Sequence, residues 1–163
     1  ISYATEFHMT NDSKHFPLRA NWEARGFKPD VFGRWIGPGD EVALPLYQGR
    51  LIHHFDCWRA AYVSGNGPSA KWNSLPFDNK VFAPRHLMSE AHFQEAGAAS
   101  ARGRVVFRDI ARNTDTRSLI ACYVPSFPCN NKLPLLSCAT DASRGLLLAA
   151  RATRRCLPQQ APR

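Results

Sequence analysis

The chain has 163 residues, of which 44% are hydrophobic and 11% aromatic, and a formal net charge of +8; this length suits one domain that buries about two-thirds of its unfolded surface. No run of about 18 apolar residues is present, which excludes a membrane-spanning helix and points to a soluble chain. The charge is unevenly placed: residues 142–163 hold Arg144, Arg151, Arg154, Arg155 and Arg163 with no acid, and setting these five aside leaves 16 basic against 13 acidic side chains, a net of +3 that steers polyanions only weakly.

In chain order, EFHMTNDSKHF (6–16) mixes aromatics with a turn-forming Asn11-Asp12-Ser13 and predicts a short strand running into a loop. Between residues 17 and 43, Pro17, Gly26, Pro29, Gly33, Gly37, Pro38 and Gly39 punctuate too often for a long helix, leaving loop with short elements. LPLYQGRLIHHFD (44–56) predicts a strand interrupted at Gly49, with Leu46, Gln48, Arg50, Ile52 and His54 on one side and Tyr47, Leu51, His53 and Phe55 on the other. Residues 64–80 are turn-rich and polar, the composition of a surface loop. Residues 84–97 predict a strand near Arg85 and a short helix over 89–96 with Ser89 as N-cap. The runs 104–110 and 118–124 predict paired strands joined by the polar stretch 111–117, followed by a loop over 125–134. Residues 143–155 have a Leu-, Ala- and Arg-rich composition that helices tolerate. Together these elements predict one α+β domain, a mixed sheet with short helices and long loops.

Three groups of residues invite a chemical role. Arg108, Asp109, Arg112, Asn113, Thr114, Asp115 and Arg117 cluster between two apolar runs, where arginine holds phosphate or reads guanine and asparagine reads adenine. The plainer alternative is a solvated hairpin in which Arg108 and Asp109 pair with neighbours, since exposed ion pairs are common and contribute little. His53, His54 and Asp56 invite a metal or acid-base reading; neighbours on a strand point to opposite faces, which favours structural roles for them. Cys57, Cys122, Cys129, Cys138 and Cys156 are odd in number and lack Cys-x-x-Cys pairing, so they read as reduced cytoplasmic thiols without a metal. The phosphate loop, the His-Glu-x-x-His helix and the Gly-x-Ser-x-Gly elbow do not occur. Pro29-Asp30 followed by Asp40 and Glu41 lacks the lysine that a metal-nuclease motif requires.

EFHMTND (6–12), LPLYQGRLIHHFD (44–56), APRHLMSE (83–90), VFRDIARNTDTRSLIACYVP (106–125) and LPLL (133–136) resemble, in that order, the C-terminal part of large bacterial N6-adenine DNA methyltransferases of the fused restriction-modification and phage-exclusion type. Tyr47 to Asp56 is similar to that family's Y-E-G-K-M-I-H-Q-F-D pattern. Phe107 to Ile110 and Thr114 to Ala121 are similar to its F-R-D-I and T-x-x-R-T-x-I-A patterns. The resemblance spans roughly residues 6–148 and implies a target-recognition region that holds double-stranded DNA beside the parent's methyltransferase catalytic domain. S-adenosylmethionine is then expected for the parent and no cofactor for this chain, because the Pro-Pro of the adenine-holding tetrapeptide is missing from the sequence.

On this resemblance Arg108, Arg112, Asn113, Thr114 and Arg117 are the leading DNA-contact candidates, with Arg50, His53 and His54 behind them, and Asp56 and Asp109 are expected to orient basic neighbours. No catalytic residue and no metal ligand is expected. Two alternatives stay open: a structural module that packs on the methyltransferase domain, and a metal-dependent hydrolase using His53, His54 and Asp56. Ile1 is not an initiator Met and no signal peptide follows it, so the chain reads as a cytoplasmic fragment. Residues 1–141 form the recognition-like region. Residues 142–163 depart from the family's expected Leu-Asn-Ser continuation and read as a basic, frameshifted or disordered tail.

Overall fold

The computed structural model describes residues 2–97, 103–110, 115 and 119–137. Among them the chain forms a single α+β domain weighted to sheet, with ten short strands and two short helices. Every strand pair is antiparallel, and parallel pairing is confined to two single bridges, Phe7 with Asn130 and Tyr47 with Cys129. Three groups of strands result.

The first sheet has the order β1 (Ser2–Ala4), β10 (Leu135–Ser137), β8 (Arg104–Phe107), β9 (Ala121–Val124). The expected pairing of the two β-rich runs is found: Arg104 faces Val124 and Val106 faces Cys122. On β9, Cys122 and Val124 are buried and alternate with more accessible residues, whereas on the interior strand β8 both Val105 and Val106 are buried. The second sheet has the order β2 (Lys28–Pro29), β3 (Trp35–Ile36), β4 (Val42–Pro45), β7 (Leu87–Ser89). The third is a hairpin of β5 (Ala60–Ser64) and β6 (Lys71–Ser74).

Helix α1 (Arg19–Glu23) is a single short run with Trp22 buried, and Gly26 at φ +90° lets the chain turn back so that Phe27 N–H reaches Trp22 O. Trp22, Phe27, Trp35, Ala43 and Leu87 form a small core between α1 and the second sheet. Helix α2 (Glu90–Glu95) begins after Ser89, as expected, but the Ser89 side chain makes no capping hydrogen bond. It buries Phe93 in the main core, where Phe16, Leu46, Tyr47, Trp58, Met88 and Val106 join the two larger sheets.

Three local expectations are corrected. Residues 6–16 hold no strand: Phe7 makes one bridge, the chain bends through a 3-10 turn at Ser13–His15, and the strand lies earlier, at β1. The segment 44–56 is no two-faced strand, because β4 ends at Pro45 and Leu46, Tyr47, Leu51 and Ile52 are all fully buried. Protein packs on both of its sides: Leu46 N–H donates to His86 O (3.0 Å) and Tyr47 N–H to Pro128 O (2.7 Å). Residues 64–80 are no plain loop, since they carry the end of β5 and all of β6, held by Tyr62 packed edge-on against Trp72. The tail 142–163 and the helix expected at 143–155 lie outside the described residues.

Candidate functional site

Five stretches of chain converge on one cleft of about 560 Å³. After β4 the chain supplies Gln48, Gly49 and Arg50 through a 3-10 turn at Gly49–Leu51; the hairpin supplies Arg59, Ala60, Gly67, Ala70, Trp72 and Ser74, and Arg85 precedes β7. Arg108 and Ile110 follow β8, and Asp115, Asn130 and Lys132 complete the wall. Five cations thus line the cleft against one carboxylate, Asp115.

Two of the cations, Arg50 and Arg85, are held by neutral acceptors, which orient them without cancelling their charge. Arg50 donates to Ala70 O (3.3 Å), Arg85 donates to Asn66 Oδ1 (2.8 Å) and lies over the Tyr62 ring at 5.6 Å, and Arg108 donates to Ile52 O. Lys132 pairs with Asp109 at 3.1 Å, a half-exposed bridge that contributes little to stability. Among the described residues Arg59 meets no carboxylate. Arg50, Arg59 and Arg85 therefore keep a positive field toward an anion that enters the cleft.

Of the expected DNA-contact residues, the structure brings Arg50 and Arg108 together in this cleft. Arg112, Asn113, Thr114 and Arg117 lie outside the described residues. His53 and His54 are outside the cleft lining, in a tight turn where His53 N–H donates to Asp56 O (2.7 Å) and Asp56 N–H to His53 O (3.1 Å), with Phe55 at φ +59°. His53 stays near enough to feel the site: burial, Arg108 and Arg59 depress its pKa, in that order, against weaker opposing pulls from Asp115 and Asp56. The two expected carboxylate roles are found, with Asp56 bound to Lys80 (2.8 Å) and to Trp58 N–H (3.0 Å), and Asp109 bound to Lys132.

The metal reading gains no support from this turn. Asp56 is committed to Lys80, and among the described residues no group of three or more His, Cys, Asp or Glu side chains could hold a metal ion. Cys57, Cys122 and Cys129 are buried free thiols, and Cys138 and Cys156 lie outside the described residues. No described helix is long and apolar enough to cross a membrane.

Sequence reasoning missed Arg59, Arg85, Lys132, Trp72 and the amides Gln48 and Asn130. No spacing rule links them; only the folding of three strand groups around one hollow does. Compared with known protein families, with curated proteins and with solved structures, the chain matches none.

Proposed function

We propose that the chain is a DNA-binding, target-recognition region of a cytoplasmic adenine-specific DNA methyltransferase of the restriction-modification type, acting beside a catalytic domain that it does not itself contain. One observation carries the DNA-binding part of this reading: Arg50, Arg59, Arg85, Arg108 and Lys132 converge on one cleft with a single acid. Phosphate contacts of this kind supply most of the affinity of DNA-binding proteins and make it depend on salt. The methyltransferase part rests on the ordered motif resemblance, two of whose segments, 44–56 and 106–125, contribute Arg50 and Arg108 to the cleft wall.

Binding of a labelled duplex, titrated against salt, tests the reading. A linear fall of log affinity with log salt is expected, and Arg59→Ala and Arg85→Ala should each reduce its slope by about 1. A folded chain that shows no salt-dependent binding would sink the DNA reading. It would favour the structural module instead, for which Tyr3, Ile110 and Leu119, half or more exposed at the first sheet and its flanking loops, supply apolar surface.

A further inference from the structure

Gln48 and Asn130 are the buried polar side chains among the described residues, at 9% and 4% exposure, and both line the cleft. The backbone holds them side by side, since Asn130 N–H donates to Tyr47 O (2.9 Å). Each amide is only half used. Gln48 Nε2 approaches Met9 Sδ (3.7 Å) and Asn130 Oδ1 accepts from Lys132 N–H (3.2 Å), which leaves Gln48 Oε1 and Asn130 Nδ2 without a hydrogen bond among the described residues. Neither atom is sealed in the interior, so an acceptor and a donor open to one cleft suit a ligand that offers both. The edge of a nucleobase does so, and Asn and Gln side chains pair with adenine edges through this same donor-acceptor combination.

Shape argues against an intact duplex at this spot. A duplex is convex and is read by helices or ribbons that protrude into its major groove, about 12 Å wide. Here the amides line an open cleft of about 560 Å³, a volume on the scale of one small molecule rather than of a duplex. Trp72 is the aromatic ring of the wall, and aromatic rings within cationic grooves are what bind unpaired bases.

We propose, on the reading that the chain binds DNA, that this cleft holds one nucleotide displaced from the duplex stack. Gln48 and Asn130 hydrogen-bond the base edge, Trp72 stacks on the base, and Arg50, Arg59 and Arg85 neutralise the flanking phosphates.

The test is fluorescence anisotropy of the full 163-residue chain with three labelled DNAs of one sequence: a paired duplex, the same duplex with one central unpaired nucleotide, and the single strand. The unpaired nucleotide should improve affinity at least tenfold over the paired duplex. Asn130→Asp keeps an Oδ acceptor for Lys132 N–H but loses the Nδ2 donor, and it should cut that preference about fivefold or more. Trp72→Leu should do likewise, whereas Trp72→Phe, which retains a ring, should keep most of it. Circular dichroism checks that each variant folds, and Gln48→Met, which deletes the Oε1 acceptor, replaces Asn130→Asp should the latter not fold. Equal affinity for paired and unpaired forms, or variants that weaken both alike, would overturn the pocket and leave the DNA reading standing. Absence of salt-dependent binding to all three DNAs would overturn the DNA reading itself.

Discussion

Arg104 is the charge that the protein can least afford to strand. Its guanidinium pairs with Glu6 and donates to Phe127 O, while Cys129 N–H donates to the second Glu6 oxygen (2.9 Å). Both charged side chains are only 10% exposed. Burial raises the Glu6 pKa in spite of the downward pull of Arg104, and it pushes the Cys129 thiol up to about 12, so that Cys129 stays protonated and poorly nucleophilic. Arg104→Met leaves a buried carboxylate without its partner and should cost about 3–5 kcal/mol in urea denaturation, whereas Arg104→Met with Glu6→Leu should recover most of that loss. A double variant no more stable than the single one would show that the packing of Arg104, rather than its charge, holds this corner. The histidines set a separate pH response. His86 donates its Nδ1–H to Phe16 O at 2.9 Å, its Nε2 is buried without a partner among the described residues, and burial depresses its pKa; the pKa of His53 is lowered as well. Between those depressed values and the ordinary 6.5 the unfolded chain binds more protons, so their contribution to stability is full above pH 6.5 and is lost as pH falls below it. Urea midpoints at pH 7.5 and 5.5 check this, and His86→Gln should flatten part of the difference.

At the scale of elements, the β5–β6 hairpin is the thinnest support of the cleft. It supplies Arg59 and Trp72, yet its strands are largely exposed and its turn depends on Gly65 at φ +86°. A Cβ at Gly65 would meet Ser69 O at 2.6 Å. Gly65→Ala should therefore cost more than about 1 kcal/mol, from left-handed backbone strain together with the backbone clash, and should weaken DNA binding more than a surface alanine elsewhere. The melting temperature and salt-titrated affinity of the variant decide both points. This hairpin was also the least legible part of the sequence. SGNGPSAKWNS carries every turn signal and almost no apolar alternation, because Tyr62 and Trp72 do most of the packing that a longer strand would distribute. By contrast, residues 104–107 and 121–124 show β-rich apolar runs separated by polar residues, and their pairing could be read directly. The segment 44–56 misled for the opposite reason. It is buried on both sides, so an assumed alternation assigned Gln48 and Arg50 to one face of a strand, when a 3-10 turn carries them into the cleft wall. Arg50 and Arg108 could be found from the motifs that contain them. Arg85 also lies in a resembling segment, but nothing local distinguishes it from an ordinary surface arginine.

For the molecule as a whole, the cleft exists only when remote segments are assembled. Gln48 and Asn130 are joined by a backbone bond from Asn130 to Tyr47, Arg85 and Arg50 reach the same hollow from opposite sides of the hairpin sequence, and Tyr47 packs against Trp58 at 4.7 Å in the core beneath. A site built this way should disappear in the same transition as the fold, whereas attraction by an unstructured basic stretch would outlast it. Urea denaturation followed by far-ultraviolet circular dichroism and by anisotropy of a labelled DNA should then give coincident midpoints, as expected of one cooperative domain. Because DNA would bind only the folded chain, raising free DNA to about 100 times its dissociation constant should stabilise the protein by about 2.7 kcal/mol and shift both curves together. Binding that persists after the dichroism signal is lost would place the affinity in charge outside the cleft, such as the five arginines of residues 142–163, and would remove the cleft from the explanation. A Tyr47→Ala variant extends the comparison: it should lower the midpoint by both probes equally, because the ring it deletes supports the main core and the cleft wall at once.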